Sequence, residues 1–417
     1  MEDNIENIKL KIQELAMSTP NVNSISYGYK FVENIQTDEL CIMYGVEQKK
    51  PLSELSPEEI LPSSITVGNQ VLNTDVNEIS KPVLLACNAS CGEVAGPNSA
   101  VNRAFTRPLL GGLSITSTNN VLTVGTMGFI GVHTATQTLV GVTCNHVVIQ
   151  DAFYTSERNL FGTIQNEYSP VDTIYQDGET GSIPPSNYNI GQVLRYVPIS
   201  SVNYNFADVA IFSLNAADID ISTSFQNIGS DYLLPLPFAS TSEINNLLST
   251  NPMLYSSGRT TGPKGGVTCP MRIYSLFSST ILDFNKQGVA TNCQFNDQIV
   301  FVKPENDPSL SIVCSNPIYS GDSGSALIAD FGGVRKIIGL VFAGGLVSGV
   351  IYYGYANRID NIASELGIEA WDGTAKAYVN PASITYKTTY NGSSNKTTTC
   401  GSTEYWQVGL TTLDDIC

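Results

Sequence analysis

The sequence predicts a mainly β protein, and three observations lead there. Between residues 109 and 365, short apolar segments recur at close intervals, separated by Gly, Asn and Ser punctuation. Gly (35) and Tyr (20) are abundant and short β-branched runs are many, which suits strands and turns better than helices. Hydrophobic residues make up 42% of the 417-residue chain and charged residues 14%, the balance of a folded protein with a large core. A barrel or sandwich of antiparallel strands follows.

Residues 1–80 read as a small α+β module. Ile5, Ile8, Leu10, Ile12 and Leu15 form an imperfect helical stripe that stops near Pro20. "VNSISYGYKFV" alternates as a strand, "ENIQT" turns, and "DELCIMYGVEQ" returns, which makes a hairpin. "PLSELSPEEI" predicts a helix start, because Ser, Pro and early Glu favour an N-terminus, and "NQVLNTDVNEI" adds a strand. Residues 81–108 are small, polar and turn-rich, a linker or wrapped connector. The strand-dense domain covers 109–370 and ends in a short closing helix, "DNIASELGIE". Within it, residues 150–189 form a polar loop region of a length associated with function. Residues 371–417 are a Thr/Ser/Asn/Tyr-rich tail in which Asn391-Gly392 signals a hairpin turn.

Charge excludes several function classes. The formal net charge is −17, with 21 Lys+Arg against 38 Asp+Glu and no basic cluster, so neither nucleic acid nor an anionic membrane is an expected partner. The segment "KIIGLVFAGGLVSGVIYYGYA" raises a transmembrane reading, but its glycines fit consecutive buried strands better. The opening "EDNIENIKLKIQELA" is acidic and lacks the apolar run of a secretory signal, so a cytoplasmic location is expected. Nine cysteines, an odd number without a framework spacing, read as reduced thiols. Cys87 and Cys91 have no second Cys/His pair to complete a zinc site, and no metal or organic cofactor is expected.

The chemistry centres on "SNPIYSGDSGSALIAD", residues 315–330. A serine bracketed by glycines is either a tight turn or a nucleophile, and Ser323 becomes the second only if a base lies near. The chain has two histidines: His146 in "VTCNHVV", after an apolar strand, and His133 in "IGVHTATQT", at a strand end or turn. The third requirement is a carboxylate that orients the imidazole. Asp208, a lone acid heading the apolar strand in "FADVAIFSL", would be expensive to bury without such a partner. Cys144, two residues before His146, reads as an apolar filler, and Arg259 and Gly262 in "SSGRTTGPKGG" as a structural turn in preference to a substrate-loop element.

Together "TCNHVV", "FADVAIFSL" and "GDSGSALI" resemble, in order, the three motifs of chymotrypsin-like serine proteases. The resemblance implies a double antiparallel β-barrel of chymotrypsin type, with His146 as base, Asp208 as orienting acid and Ser323 as nucleophile. It also implies an oxyanion hole from the Gly321 and Ser323 amides. The further motifs "RPLLGG", "GTMGF", "GRTTG" and "IIGLVFAGG", with the module ahead of them, resemble an intracellular bacterial, phage and plant group whose plant member is called NARROW LEAF. This similarity covers roughly residues 20–370 and leaves out the tail. By the same mapping the specificity pocket has Pro317 at its base and Phe342, Ala343 and Gly344 along its walls. Pro317 is no acid, so a small or apolar residue is expected before the scissile bond.

Two departures accompany the resemblance. Ser325 stands where the family has a glycine, and no Ile-Val-Gly-Gly-like activation sequence occurs, so Asp322 needs a partner other than a new N-terminus. No zymogen cleavage is expected. The leading expectation is a serine endopeptidase acting on protein or peptide substrates. The rivals are a protease-fold assembly or virion protein whose cleft is filled by the module or the tail, and a protease that cuts only its own chain or one partner. The tail reads as the element for such an assembly partner.

Overall fold

In the computed structural model the predicted strands gather into two large, mainly antiparallel sheets of 12 and 10 strands. The structure describes residues 2–18, 21–32, 35–85, 87–88, 102–118, 123–149, 173–176, 186–219, 235–265, 270–286, 289–302, 317–347, 350–378, 386–390 and 394–398. Cys91, most of the polar loop 150–189 and the tail beyond 398 lie outside them.

The 10-stranded sheet is built mostly from residues 114–213. Phe129–His133, Thr138–Thr143, Ala210–Ser213 and Asn189–Tyr196 run side by side, and Thr123–Thr126 lies toward the far edge. The central strands are buried along their whole length, which explains their near-continuous apolar character. The 12-stranded sheet carries Met253–Gly258, Ala326–Phe331, Val334–Val347, Val350–Arg358 and the long hairpin Arg272–Lys286 with Val289–Val302. The apolar run 336–356 is therefore two paired strands. Among the described residues no helix is long and apolar enough to cross a membrane.

The N-terminal segment extends the second sheet. Ser24–Val32 pairs with Ile35–Val46 on one side and with Arg272–Lys286 on the other. Gln70–Glu78 then adds parallel to Ile35–Val46, with Ser64–Val67 beyond it. The helix Glu2–Ser18 buries Ile8 and Ile12 against this layer. Its Lys9 reaches buried Asp297 at 2.6 Å, and Asp297 also takes the buried Arg358 guanidinium at 3.0 Å. The helix expected at 51–60 is replaced by two single 3-10 turns, Leu52–Glu54 and Pro57–Glu59. Pro57 cannot donate to the turn before it, so the chain restarts with Ser56 and Glu59 forming a capping box.

The closing helix spans Ile359–Leu366 and stops at Gly367, whose φ of 62° suits glycine. In the tail, Tyr386–Tyr390 and Ser394–Thr398 pair as the expected hairpin.

Candidate active site

His146 follows the buried strand Thr138–Thr143 on the four-residue helix Asn145–Val148. Asn145 anchors that turn by donating from Nδ2 to the Val197 carbonyl at 2.7 Å. Asp208 heads the neighbouring strand Ala210–Ser213 and is fully buried. Its Oδ1 accepts the His146 backbone N–H at 3.1 Å, and its Oδ2 forms a short contact with His146 Nδ1. A carboxylate only accepts, so Nδ1 carries the proton and Nε2 presents its lone pair to Ser323. Ser323 Oγ lies 2.7 Å from Nε2. The Phe342 carbonyl, at 3.1 Å, is a second acceptor for the same single hydroxyl proton.

Three segments distant in sequence therefore meet in one hydrogen-bonded line. His133 is not part of it. That residue ends its strand, is 1% exposed, and bonds Thr136 Oγ1 through Nδ1 at 2.8 Å. Burial, with help from Arg195, pushes its pKa down to about 4.

Ser323 sits on a turn between Tyr319 and Ser325. Gly321 (φ 99°) and Gly324 (φ 94°) adopt backbone conformations that favour glycine, and a Cβ on Gly324 would lie 2.1 Å from the Thr126 carbonyl oxygen. Ser325 is buried without a positive φ and takes a hydrogen bond from Ser256 at 3.2 Å, so serine is accommodated there.

Asp322 is 1% exposed, and its partners are backbone amides. Oδ1 accepts from Thr260 N–H at 2.9 Å and Thr261 N–H at 3.0 Å, and Oδ2 accepts from Tyr319 N–H at 2.8 Å. Burial pushes its pKa up, against the pull of those donors and of Lys264. The turn of "GRTTG" thus occupies the position for which the sequence offered no partner. Gly258 permits it: a Cβ there would fall 2.2 Å from Asp322 Oδ1.

Sequence reasoning missed two positioning residues. Asn357 holds the backbone of Asp208 reciprocally, accepting from its N–H and donating to its carbonyl, both at 3.2 Å. Thr126 donates from Oγ1 to the Gly321 carbonyl at 2.8 Å, accepts from Arg259 N–H at 2.9 Å, and donates its own N–H to the Ser323 carbonyl at 2.8 Å. "GTMGF" carried the only signal, and it gave no role.

The expected pocket residues Pro317, Phe342, Ala343 and Gly344 are all buried. The Gly321 amide already has an acceptor, the carbonyl of Leu85 in the segment that follows the N-terminal module. Ser323 is fully buried and the His146 side chain only 7% exposed.

Among the described residues, Cys144, His146 and Asp208 bring three donor atoms within 4.8 Å of one another. Burial raises the Cys144 thiol well above the ordinary range, and it donates to the Val341 carbonyl at 3.3 Å. With His146 Nδ1 committed to Asp208, this donor set fits a protonated filler beside a dyad better than a cation site.

No family model matches the chain, and no curated protein does. Among solved structures it is similar to a glutamic acid-specific serine protease described as using a histidine triad in substrate binding, at 12% identity and a TM-score of 0.38, over 63% of this chain and 100% of that one. It is also similar to Cellulomonas bogoriensis chymotrypsin, at 14% identity and a TM-score of 0.36 over 63% of this chain and 98% of that one. A Nocardiopsis protease matches with the same identity, TM-score and coverage.

Proposed function

We propose that the chain is a serine endopeptidase that hydrolyses peptide bonds through an acyl-enzyme. The observation that carries the reading is the unbroken line Asp208–His146–Ser323, with 2.7 Å between Nε2 and Oγ. Ser323 Oγ attacks the peptide carbonyl while His146 Nε2 takes its proton. Asp208 holds the imidazole in the required tautomer and stabilises the imidazolium. The Gly321 and Ser323 amides receive the developing oxyanion, worth roughly 3–4 kcal/mol per donor in comparable sites. Collapse of the tetrahedral species expels the amine, which leaves with the proton from His146, and water then releases the acyl group by the same route. Pro317 and the apolar wall at Phe342 and Ala343 favour an apolar residue before the scissile bond. The wider motif set supports kinship with the intracellular NARROW LEAF-like group.

A second reading, a protease-fold assembly protein with a closed cleft, draws support from the buried Ser323 and the engaged Gly321 amide. A fluorophosphonate probe separates the two. It is applied to the wild-type chain and to Leu85→Asp, whose buried charge disfavours occupation of the cleft. Peptide mapping is expected to find the label on Ser323, lost in Ser323→Ala and His146→Ala but kept in His133→Ala. Folded protein that takes no label in either background refutes the enzyme.

A further inference from the structure

The segment after the N-terminal module crosses the candidate active site in an extended form. Val83–Leu84 pairs antiparallel with Val334–Val347, setting Leu84 opposite Ala343 and Val83 opposite Gly344. The Leu85 N–H donates to the Phe342 carbonyl at 3.1 Å, and the Leu85 carbonyl accepts from Gly321 N–H. Past that point Cys87–Asn88 pairs antiparallel with Thr123–Thr126, Cys87 opposite Val124 and Asn88 opposite Thr123. Two residues further on, Thr126 N–H donates to the Ser323 carbonyl at 2.8 Å. Upstream, Lys81 is tied to Asp283 at 2.6 Å on the long hairpin.

The contacts of Leu85 lie beside Ser323. Both backbone groups of Leu85 are bound by residues that flank Ser323: Phe342, which also faces the Ser323 hydroxyl, and Gly321, two residues away. The carbonyl oxygen of the Leu85–Ala86 peptide bond rests on an oxyanion-hole amide. The Leu85 side chain is fully buried within the apolar core, as a residue seated in an apolar pocket would be. Strand pairing secures the chain on both sides of that bond, so recognition does not depend on Leu85 alone.

We infer that residues 81–88 are the enzyme's own built-in substrate and that the chain cleaves itself between Leu85 and Ala86. This rests on the serine endopeptidase reading. Ser323 Oγ adds to the Leu85 carbonyl carbon as its proton passes to His146. The C–N bond to Ala86 breaks, and the amine leaves with that proton. Water then hydrolyses the Leu85 ester, freeing the Leu85 carboxylate and restoring the Ser323 hydroxyl. No co-reactant beyond water is needed, and holding the bond in place makes the attack unimolecular. The expectation that no cleavage precedes activity changes accordingly. Asp322 needs no new N-terminus, yet an external substrate needs the backbone partners that Val83–Leu85 and Cys87–Asn88 now occupy. Fragment 1–85 keeps its strand pairing with Arg272–Lys286, so a cut chain stays together until it is denatured.

The experiment follows the purified full-length chain by intact mass after denaturation, with N-terminal sequencing of the products. Expected are fragments 1–85 and 86–417, a new N-terminus at Ala86, and a first-order rate unchanged over a 100-fold range of protein concentration. Ser323→Ala stays whole, Leu85→Asp is not cut at this bond, and Leu85→Met is cut within tenfold of the wild-type rate. In parallel, a synthetic peptide of residues 81–90 is given to the Leu85→Asp chain. If that peptide is cut after its second leucine while the full-length wild-type chain stays whole, self-cleavage is overturned and the protease reading stands. A cut at another bond also overturns it. If neither peptide nor chain is cut and the fluorophosphonate does not react, both readings fall.

Discussion

Gly258→Ala tests whether the "GRTTG" turn does the work that Asp322 requires. Gly258 has no positive φ, so alanine is tolerated by the backbone and the perturbation is purely one of space. The new Cβ would stand 2.2 Å from Asp322 Oδ1 and 2.5 Å from its Cγ. Regaining an ordinary contact moves the carboxylate by more than about 1 Å. The bonds from Thr260 and Thr261, now 2.9 and 3.0 Å, then exceed hydrogen-bonding range. Charge-assisted bonds of this kind contribute about 1.5–3 kcal/mol each, and partial relaxation of the turn leaves a net loss of about 2–4 kcal/mol. Because Asp322 adjoins Ser323 and its Oδ2 holds Tyr319, the loop carrying the Gly321 and Ser323 amides loses its registration. Losing one oxyanion donor typically costs about 100- to 1000-fold in turnover. The assay is the fluorophosphonate labelling rate at Ser323 in the Leu85→Asp background, with folding checked by a cooperative thermal transition. A folded Gly258→Ala chain that labels within about threefold of its parent refutes the reasoning.

Two further predictions concern stability. Asp297→Ala strips the partner from buried Arg358 and from Lys9, and it is expected to cost about 3–5 kcal/mol in urea unfolding; a loss below about 1 kcal/mol contradicts the role assigned to this ion cluster. His133 titrates near 6.5 when unfolded but stays neutral to about 4 in the folded chain. The unfolded state therefore binds the extra proton between those values, so stability is fully present above about 6.5 and lost as pH falls toward 4. The contribution is about 1–2 kcal/mol. His133→Gln should remove that part of the pH dependence, and an unchanged stability slope over this interval would argue against it.

The site was legible to the extent that its parts are side chains on short, self-identifying segments. Ser323 between glycines, one of two histidines after an apolar strand and a lone strand-head acid each betray themselves by type and neighbourhood. The partners of Asp322 do not, because a backbone amide leaves no mark in a sequence; "GRTTG" reads only as a turn. Asn357 and Thr126 were illegible for a related reason. Their hydrogen bonds go to backbone atoms of residues far along the chain, and an Asn or Thr inside a strand-like run signals nothing specific. The helix start at 51–60 was misjudged because Glu-rich first-turn chemistry outweighed the repeated prolines, which allow single turns but no continuing ladder.

The path of residues 81–88 was hidden differently, and the topology supplies its cause. The last long strand of the N-terminal module, Gln70–Glu78, belongs to the 12-stranded sheet, whereas Ser114–Ser117, which opens the run of strands after the connector, belongs to the 10-stranded one. A chain joining them must pass from one sheet to the other. The same two sheets contribute the hydrogen-bonded line of the candidate site, with His146 and Asp208 at strands of the smaller and Ser323 beside Ala326–Phe331 of the larger. The connector therefore reaches the boundary where these three side chains meet. Once there, its unpaired backbone takes the free edges at 343–344 and 123–124. The apolar run Val83–Leu85 sets which residue is buried beside the Ser323 turn. A small polar linker would bury no such side chain there, so on the self-cleavage proposal the leucine at position 85 is what makes the tether a substrate.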